Sequence, residues 1–156
     1  MAGPLTAGSR IIGDGGHAKV VRECISARGD TFIAVGDNRA RKREAEAHQG
    51  PFAVMVHPSA VVSPKADIGD GTVIMAGAVV QAGALIGRHC IVNTCASVDH
   101  DCVLEDYVHI APDAHLCGNV RVGEGTLVAV GASIAPNTKI PAWSIVKASR
   151  LQIEPL

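Results

Sequence analysis

From Val62 to Val146 every sixth position is Ile, Val or Leu, without a break. These three residue types make up 39 of the 156 residues, so fifteen hits in fifteen positions is a designed period and not chance. Two residues before each stands a small or slender side chain, from Ala60, Ala66 and Thr72 through Cys90 and Cys102 to Thr138 and Ser144. No charge enters either series. A helix needs a period near 3.6 and a strand needs short strict alternation, so neither explains a period of six. Repeats of this kind belong to parallel β-helices, with the aliphatic residue filling a prism and the small one tucked into its corner. Three hexads make one coil of 18 residues. The fifteen hexads thus predict about five coils, a column roughly 24 Å tall at the usual strand spacing.

Before Val61 the period is absent and a different grammar appears. Arg10-Ile11-Ile12 reads as a strand entering Gly13-Asp14-Gly15-Gly16-His17. Ala18 to Ala27 then reads as a helix with Val20, Val21, Cys24 and Ile25 on its apolar face. Thr31 to Val35 is a second strand, Gly36-Asp37-Asn38 a turn and cap, Arg39 to His48 a charged helix, and Phe52 to Val56 a third strand. This β-α-β-α-β order predicts a small parallel sheet. The division expected is residues 1–57 as an α/β unit, 58–148 as the column and 149–156 as a tail, with His57-Pro58-Ser59 at the joint. A Gly-rich turn between strand and helix is a usual seat for a phosphate, although Gly13-x-Gly15-Gly16 falls short of the full dinucleotide pattern and also fits a tight turn that binds nothing.

A net charge of −1 gives no basic footprint for nucleic acid, and 3% aromatic content gives no stacking platform. The apolar runs are too short for a membrane span, and Met1 to Arg10 lacks the apolar core of a signal peptide, so a soluble cytoplasmic protein is expected. Of the five cysteines, Cys90 and Cys102 fall on the interior series and read as buried reduced thiols.

Chemistry on such a scaffold must come from polar residues that break its pattern. They cluster at Asp99-His100-Asp101-Cys102 and Tyr107-Val108-His109, with His115 one hexad later. A step of 18 is one coil, so Gly118 lies directly above His100, and a bulky corner beside a small one leaves a groove. His100 flanked by carboxylates suits a general base, with Asp101 as its orienting partner and Asp99 in reserve. An exposed turn histidine is the plain alternative. His48 and His89 sit among charges and read as solvated. His109 and His115 fall on different faces of the prism, which disfavours a shared metal ion within one subunit.

These residues resemble a known family. His57-Pro58-Ser59-Ala60, Asp99-His100-Asp101-Cys102, His109-Ile110-Ala111-Pro112 and Gly118-Asn119-Val120 look like the hexapeptide-repeat sugar acyltransferases. Ile12 to Val21 and Ala34 to Lys42 are similar to the PglD/NeuD type, which acetylates nucleotide-linked amino sugars or sialic acid. The resemblance implies a mixed architecture: an abridged Rossmann-like βαβαβ domain followed by a left-handed parallel β-helix. It implies a homotrimer with active sites between subunits, and acetyl-CoA as donor with no metal. It places His100 as catalytic base, Asp101 as its acidic partner, and His109 and Gly118 at the cofactor. Gly15, Gly16, His17 and Gly36 match the segments holding the nucleotide-linked amino sugar. The chain departs from the family in running from Ala27 through Arg28-Gly29-Asp30 straight into the next strand, and in its C-terminal stretch from Trp143. N-acetylation of a nucleotide-linked amino sugar is the leading expectation. O-acetylation of a sugar, a metalloenzyme like the γ-type carbonic anhydrases, and a non-catalytic sugar-binding scaffold are the alternatives.

Overall fold

The computed structural model describes residues 10–24, 31–48 and 50–148. From Val61–Val62 to Ile145–Val146 each hexad contributes a two-residue strand followed by a turn. Each strand pairs in parallel with those one coil away, as Val79–Val80 does with Val61–Val62 and Ser97–Val98. The result is three sheets of five, five and six strands wrapped into a parallel β-helix. The aliphatic series is fully buried from Ile74 to Ile134, and Val62, Ile68, Ile140 and Val146 close the two ends partly exposed. The small series lines the corners inside. Where it carries threonine, the hydroxyl is satisfied: Thr72 donates to Gly87 O at 2.8 Å and Thr126 to Pro141 O at 2.8 Å.

A third six-residue series sits at the turns. Every sixth residue from Gly71 to Trp143 has φ near +60°. Glycine, asparagine and aspartate tolerate this region best and fill most of these positions, but His89, Cys95, Tyr107 and Trp143 also occupy it. From Gly83 onward the backbone N–H of each such residue reaches back one coil to a carbonyl, as Asp101 does to Ala82 O at 3.2 Å and Tyr107 to Arg88 O at 2.9 Å.

The N-terminal unit consists of β1 (Arg10–Ile12), α1 (Gly16–Cys24), β2 (Thr31–Ile33) and α2 (Asn38–Ala47). Strands β1 and β2 pair in parallel, and Phe52 adds a bridge to Thr31. Asp37 caps α2 by accepting from Ala40 N at 2.7 Å. The run expected as one strand from Phe52 to Val56 is divided. Phe52 serves the small sheet, whereas β3 (Met55–Val56) pairs with Val73–Ile74 and starts the six-stranded face of the column. Helix α1 begins two residues before the predicted start and turns Ala18 and Val21 inward, leaving Val20 at 40% exposure. The predicted helix end at Ile25 to Ala27 and the tail 149–156 lie outside the described residues.

The outward side chains along the six-stranded face are Met55, Val73, Ile91, His109, Leu127 and Ile145, apolar except for one. The matching rows on the other faces include Ser97, His115 and Ser133, or Asp67, Arg121 and Lys139. The N-terminal unit covers the first half of this row: Ala18, Val21, Phe32 and Ala34 pack with Met55, Val73, Met75 and Ile91 in a second core. Burying each of the larger of these side chains contributes about 2 kcal/mol, which holds the unit to this face. Polar clamps fix its register. Lys42 pairs with Glu124 at 2.6 Å, Asn38 Nδ2 donates to Gly125 O at 3.0 Å, and the Arg39 guanidinium lies 4.5 Å from the centre of the Trp143 ring.

His89 departs from its expected place in solvent. It is fully buried, stacked on Tyr107 with ring centres 5.5 Å apart and met edge-on by Phe52 at 4.7 Å. Its left-handed turn conformation, with φ of 52°, directs the ring under the N-terminal unit.

Candidate active site

Val98 ends one strand and Val103 begins the next on an adjacent sheet, so Asp99-His100-Asp101 is the corner between two faces. The corner shapes itself. The His100 N–H donates to Asp99 Oδ1 at 2.7 Å, and Asp101 takes the left-handed conformation with φ of 59°. That turn brings Asp101 Oδ2 to 2.9 Å from His100 Nδ1. A carboxylate accepting from Nδ1–H fixes the tautomer that leaves the Nε2 lone pair free. The hydrogen bond to Asp101, followed by the charge of Asp99, raises the His100 pKa above the ordinary histidine value. Both side chains are well exposed, at 62% and 68%.

Gly118, one coil on, makes room for this ring. A Cβ placed there would lie 2.5 Å from both Cε1 and Nε2 of His100. Gly118→Ala is therefore expected to push the imidazole off Asp101 and to lower kcat by roughly tenfold to a hundredfold, since a displacement near 1 Å suffices for that loss. Unchanged turnover with an unchanged melting temperature would contradict it. At two earlier corners the corresponding N–H is capped by the residue before it, Thr94 by Asn93 Oδ1 and His100 by Asp99 Oδ1. Cys117 supplies no such cap, and the Gly118 N–H has no hydrogen-bond partner among the described residues.

A second group assembles where the N-terminal unit meets the column. Gly13, Asp14, Gly15, Gly16, His17, Ala34, Val35 and Gly36 line a cleft of about 390 Å³. At Gly36 it meets a smaller one of about 180 Å³ that contains His109, Leu127 and Trp143. The predicted Gly15, Gly16, His17 and Gly36 are thus brought together, with His109 at their edge. The His109 ring accepts from Asn93 Nδ2 at 3.0 Å and shares the smaller cleft with Gly36. Burial, then the Arg41 and His17 charges, hold its pKa down to about 3, so it is a neutral ring near pH 7. His17 is likewise pushed down to about 4 by burial and by Arg41, and its buried Nε2 has no hydrogen-bond partner among the described residues. Within one chain no hydrogen bond or resolved charge interaction joins this group to His100 among the described residues.

His115 lies on a different sheet from His109 and bonds to Ser97 Oγ at 2.9 Å. Cys102 is buried and donates to Cys117 O at 3.2 Å, with its thiol pKa raised by burial, which makes it a poor nucleophile. The four described cysteines, Cys90, Cys95, Cys102 and Cys117, are free thiols. Among the described residues no helix is long and apolar enough to cross a membrane. Asn93, Arg41 and Trp143 were not read from the sequence. The signal was the row of turn residues 18 apart, Gly71, His89, Tyr107, Gly125 and Trp143, whose aromatic members mark the edge that the N-terminal unit grips.

Among known proteins, the acetyltransferase domain of PglB from Neisseria gonorrhoeae superposes with a TM-score of 0.84 at 36% identity, over 90% of this chain and 88% of that one. The same domain is also known in complex with acetyl coenzyme A, with a TM-score of 0.82 at 38% identity over 88% and 86% of the two chains. PerB from Caulobacter crescentus, in complex with CoA and GDP-perosamine, superposes with a TM-score of 0.83 at 35% identity over 92% and 87%. In sequence the chain is 43% identical to UDP-N-acetylbacillosamine N-acetyltransferase of Bacillus subtilis (strain 168), over 40% of this chain and 49% of that protein. It is 30% identical to GDP-perosamine N-acetyltransferase of Escherichia coli O157:H7, over 65% and 48%. The chain spans about half the length of these curated relatives. No family model matches it. With a parallel β-helix and this similarity to the PglB domain and PerB, the chain belongs to the hexapeptide-repeat sugar acetyltransferases.

Proposed function

We propose that the protein transfers the acetyl group of acetyl-CoA to the amine of a nucleotide-linked amino sugar, with His100 as general base. The observation that carries this reading is the pair His100 and Asp101, joined at 2.9 Å with Nε2 left free beside Gly118. Nε2 takes a proton from the acceptor amine as its nitrogen attacks the thioester carbonyl. The imidazolium that forms is stabilised by Asp101 and, at longer range, by Asp99. The uncapped Gly118 N–H is placed to donate to the developing oxyanion. Collapse of the tetrahedral intermediate expels the CoA thiolate and leaves the amide, with no acyl-enzyme needed.

In this reading the N-terminal unit is an abridged Rossmann-like domain that receives the acceptor. Gly15 and Gly16 at the start of α1 face the phosphates with backbone N–H groups, and His17 and Gly36 line the same cleft. The column is wound left-handed and assembles as a homotrimer. The high exposure of His100, together with its separation from His109 in one chain, supports a site whose other wall is a neighbouring copy. His109, neutral and oriented by Asn93, belongs at the acetyl end of the cofactor. PerB bound to CoA and GDP-perosamine, and the related perosamine N-acetyltransferase crystallised as histidine variants with both ligands, support this chemistry by likeness.

Thiol release from acetyl-CoA against a panel of UDP-, GDP- and dTDP-linked amino sugars tests the proposal. One acceptor is expected to release CoA well above hydrolysis, with an N-acetyl product by mass. Release with none of them would sink the acceptor assignment.

A further inference from the structure

Helix α2 carries one charge that its surface position in the sequence does not explain. Arg41 is 1% exposed, and no carboxylate lies within ion-pair distance of it among the described residues. Its guanidinium instead reaches neutral acceptors. Nε donates to His89 O at 2.7 Å and Nη2 to Tyr107 O at 2.8 Å, carbonyls on successive coils of the column. Nη1 donates to Val35 O at 3.1 Å and Gly36 O at 3.2 Å, and Nη2 also to Asn38 Oδ1 at 2.8 Å. Burying a guanidinium among carbonyls without a counter-ion is costly, and an apolar side chain would join the same two surfaces at less expense. What an apolar residue could not do is fix one loop against two coils. The planar fork does this, because its donors leave in set directions.

The loop so fixed is Val35 to Asn38, which holds Gly36 where the two clefts meet, beside His109. We infer that Arg41 is a positioning residue for the acceptor, pinning the Gly36 loop to the β-helix so that the bound nucleotide-linked sugar is held at a fixed height relative to the catalytic corner. The inference rests on the function proposed above. Arg41 touches neither His100 nor Gly118, so its loss should be felt in acceptor binding and not in the chemical step.

The test compares wild type, Arg41→Gln and Arg41→Lys with acetyl-CoA and whichever acceptor of the panel gives the fastest thiol release. The expected result is a rise in the acceptor KM of roughly tenfold or more in both variants, with kcat and the acetyl-CoA KM changed by less than about threefold. Amide hydrogen exchange on the full chain should rise in the segment from Thr31 to Asn38 while the column from Val73 to Ile134 stays protected. Asn38→Ala, which removes one strand of the clamp, gives the same pattern more weakly and serves if the Arg41 variants do not fold. An unchanged acceptor KM, an equal change in both KM values, or a loss confined to kcat would overturn the inference. A wild-type protein that releases no CoA overturns the proposed function instead, and unchanged loop exchange in the variants would independently overturn the clamp.

Discussion

Replacing His100 by alanine is expected to lower acetyl transfer by about a thousandfold while leaving the column folded, because a positioned base contributes typically 10² to 10⁴. The ring is exposed and stands outside the prism, so truncation opens no cavity in the core. Far-UV circular dichroism and the melting temperature should match wild type. Asp101→Asn separates orientation from basicity. Asp101 is the largest cause of the raised His100 pKa, so its neutralisation lets the ring shed its proton at lower pH. A base works only when deprotonated. The acid limb of kcat/KM should therefore lie above the ordinary histidine range in wild type and move to lower pH in Asp101→Asn, with a reduced plateau. Residual turnover in His100→Ala within a few-fold of wild type, or an acid limb unmoved in Asp101→Asn, would remove His100 from the mechanism.

The column was readable in the sequence because its period is enforced by two independent constraints, an aliphatic interior and a small inner corner, repeated without insertion. The His100 corner was readable for the same reason. Once the coil length is known, stacking His100 on Gly118 is arithmetic, and the structure places the two against each other as that arithmetic requires. Burial of Cys90 and Cys102 follows from the same series.

What the sequence did not show is what lies outside the prism. A local reading judged His89 by the charge beside it, but its fate is set by Phe52 and Arg41, which are far along the chain. Arg41 itself looks like one more solvated charge on α2, since a buried guanidinium served by carbonyls has no local signature. The division of Phe52 to Val56 between two sheets was hidden because five residues of strand-like composition suit either partner. One clue was available. The outward row Met55, Val73, Ile91, Leu127 is apolar where the other faces mix valine and leucine with polar residues, and reading the column face by face points to where the N-terminal unit docks.

Acid is expected to detach the N-terminal unit before the column melts. Three histidines at their junction are held neutral: His17 and His89 are pushed down to about 4 and His109 to about 3, in each case first by burial. In the unfolded chain each titrates near 6.5, so stability is complete above that value and is lost as pH falls toward the folded values. At about pH 5 each ring would cost on the order of 2 kcal/mol, and together they rival the whole stability of a typical domain. All three lie where the unit meets the column, whereas the interior of the prism carries no ionisable side chain except its thiols. The cost therefore falls on the junction. Trp143, the single tryptophan, is in cation–π contact with Arg39 and reports the event directly. Urea titrations followed by its fluorescence should show an early transition near pH 5 that far-UV circular dichroism of the column does not share, and near pH 7.5 the two probes should move closer together. His89→Phe, which keeps the stacked aromatic and removes the titrating group, is expected to recover part of the lost stability near pH 5. Coincident transitions at both pH values, or a His89→Phe variant as acid-sensitive as wild type, would show that these buried rings do not set the acid limit of the fold.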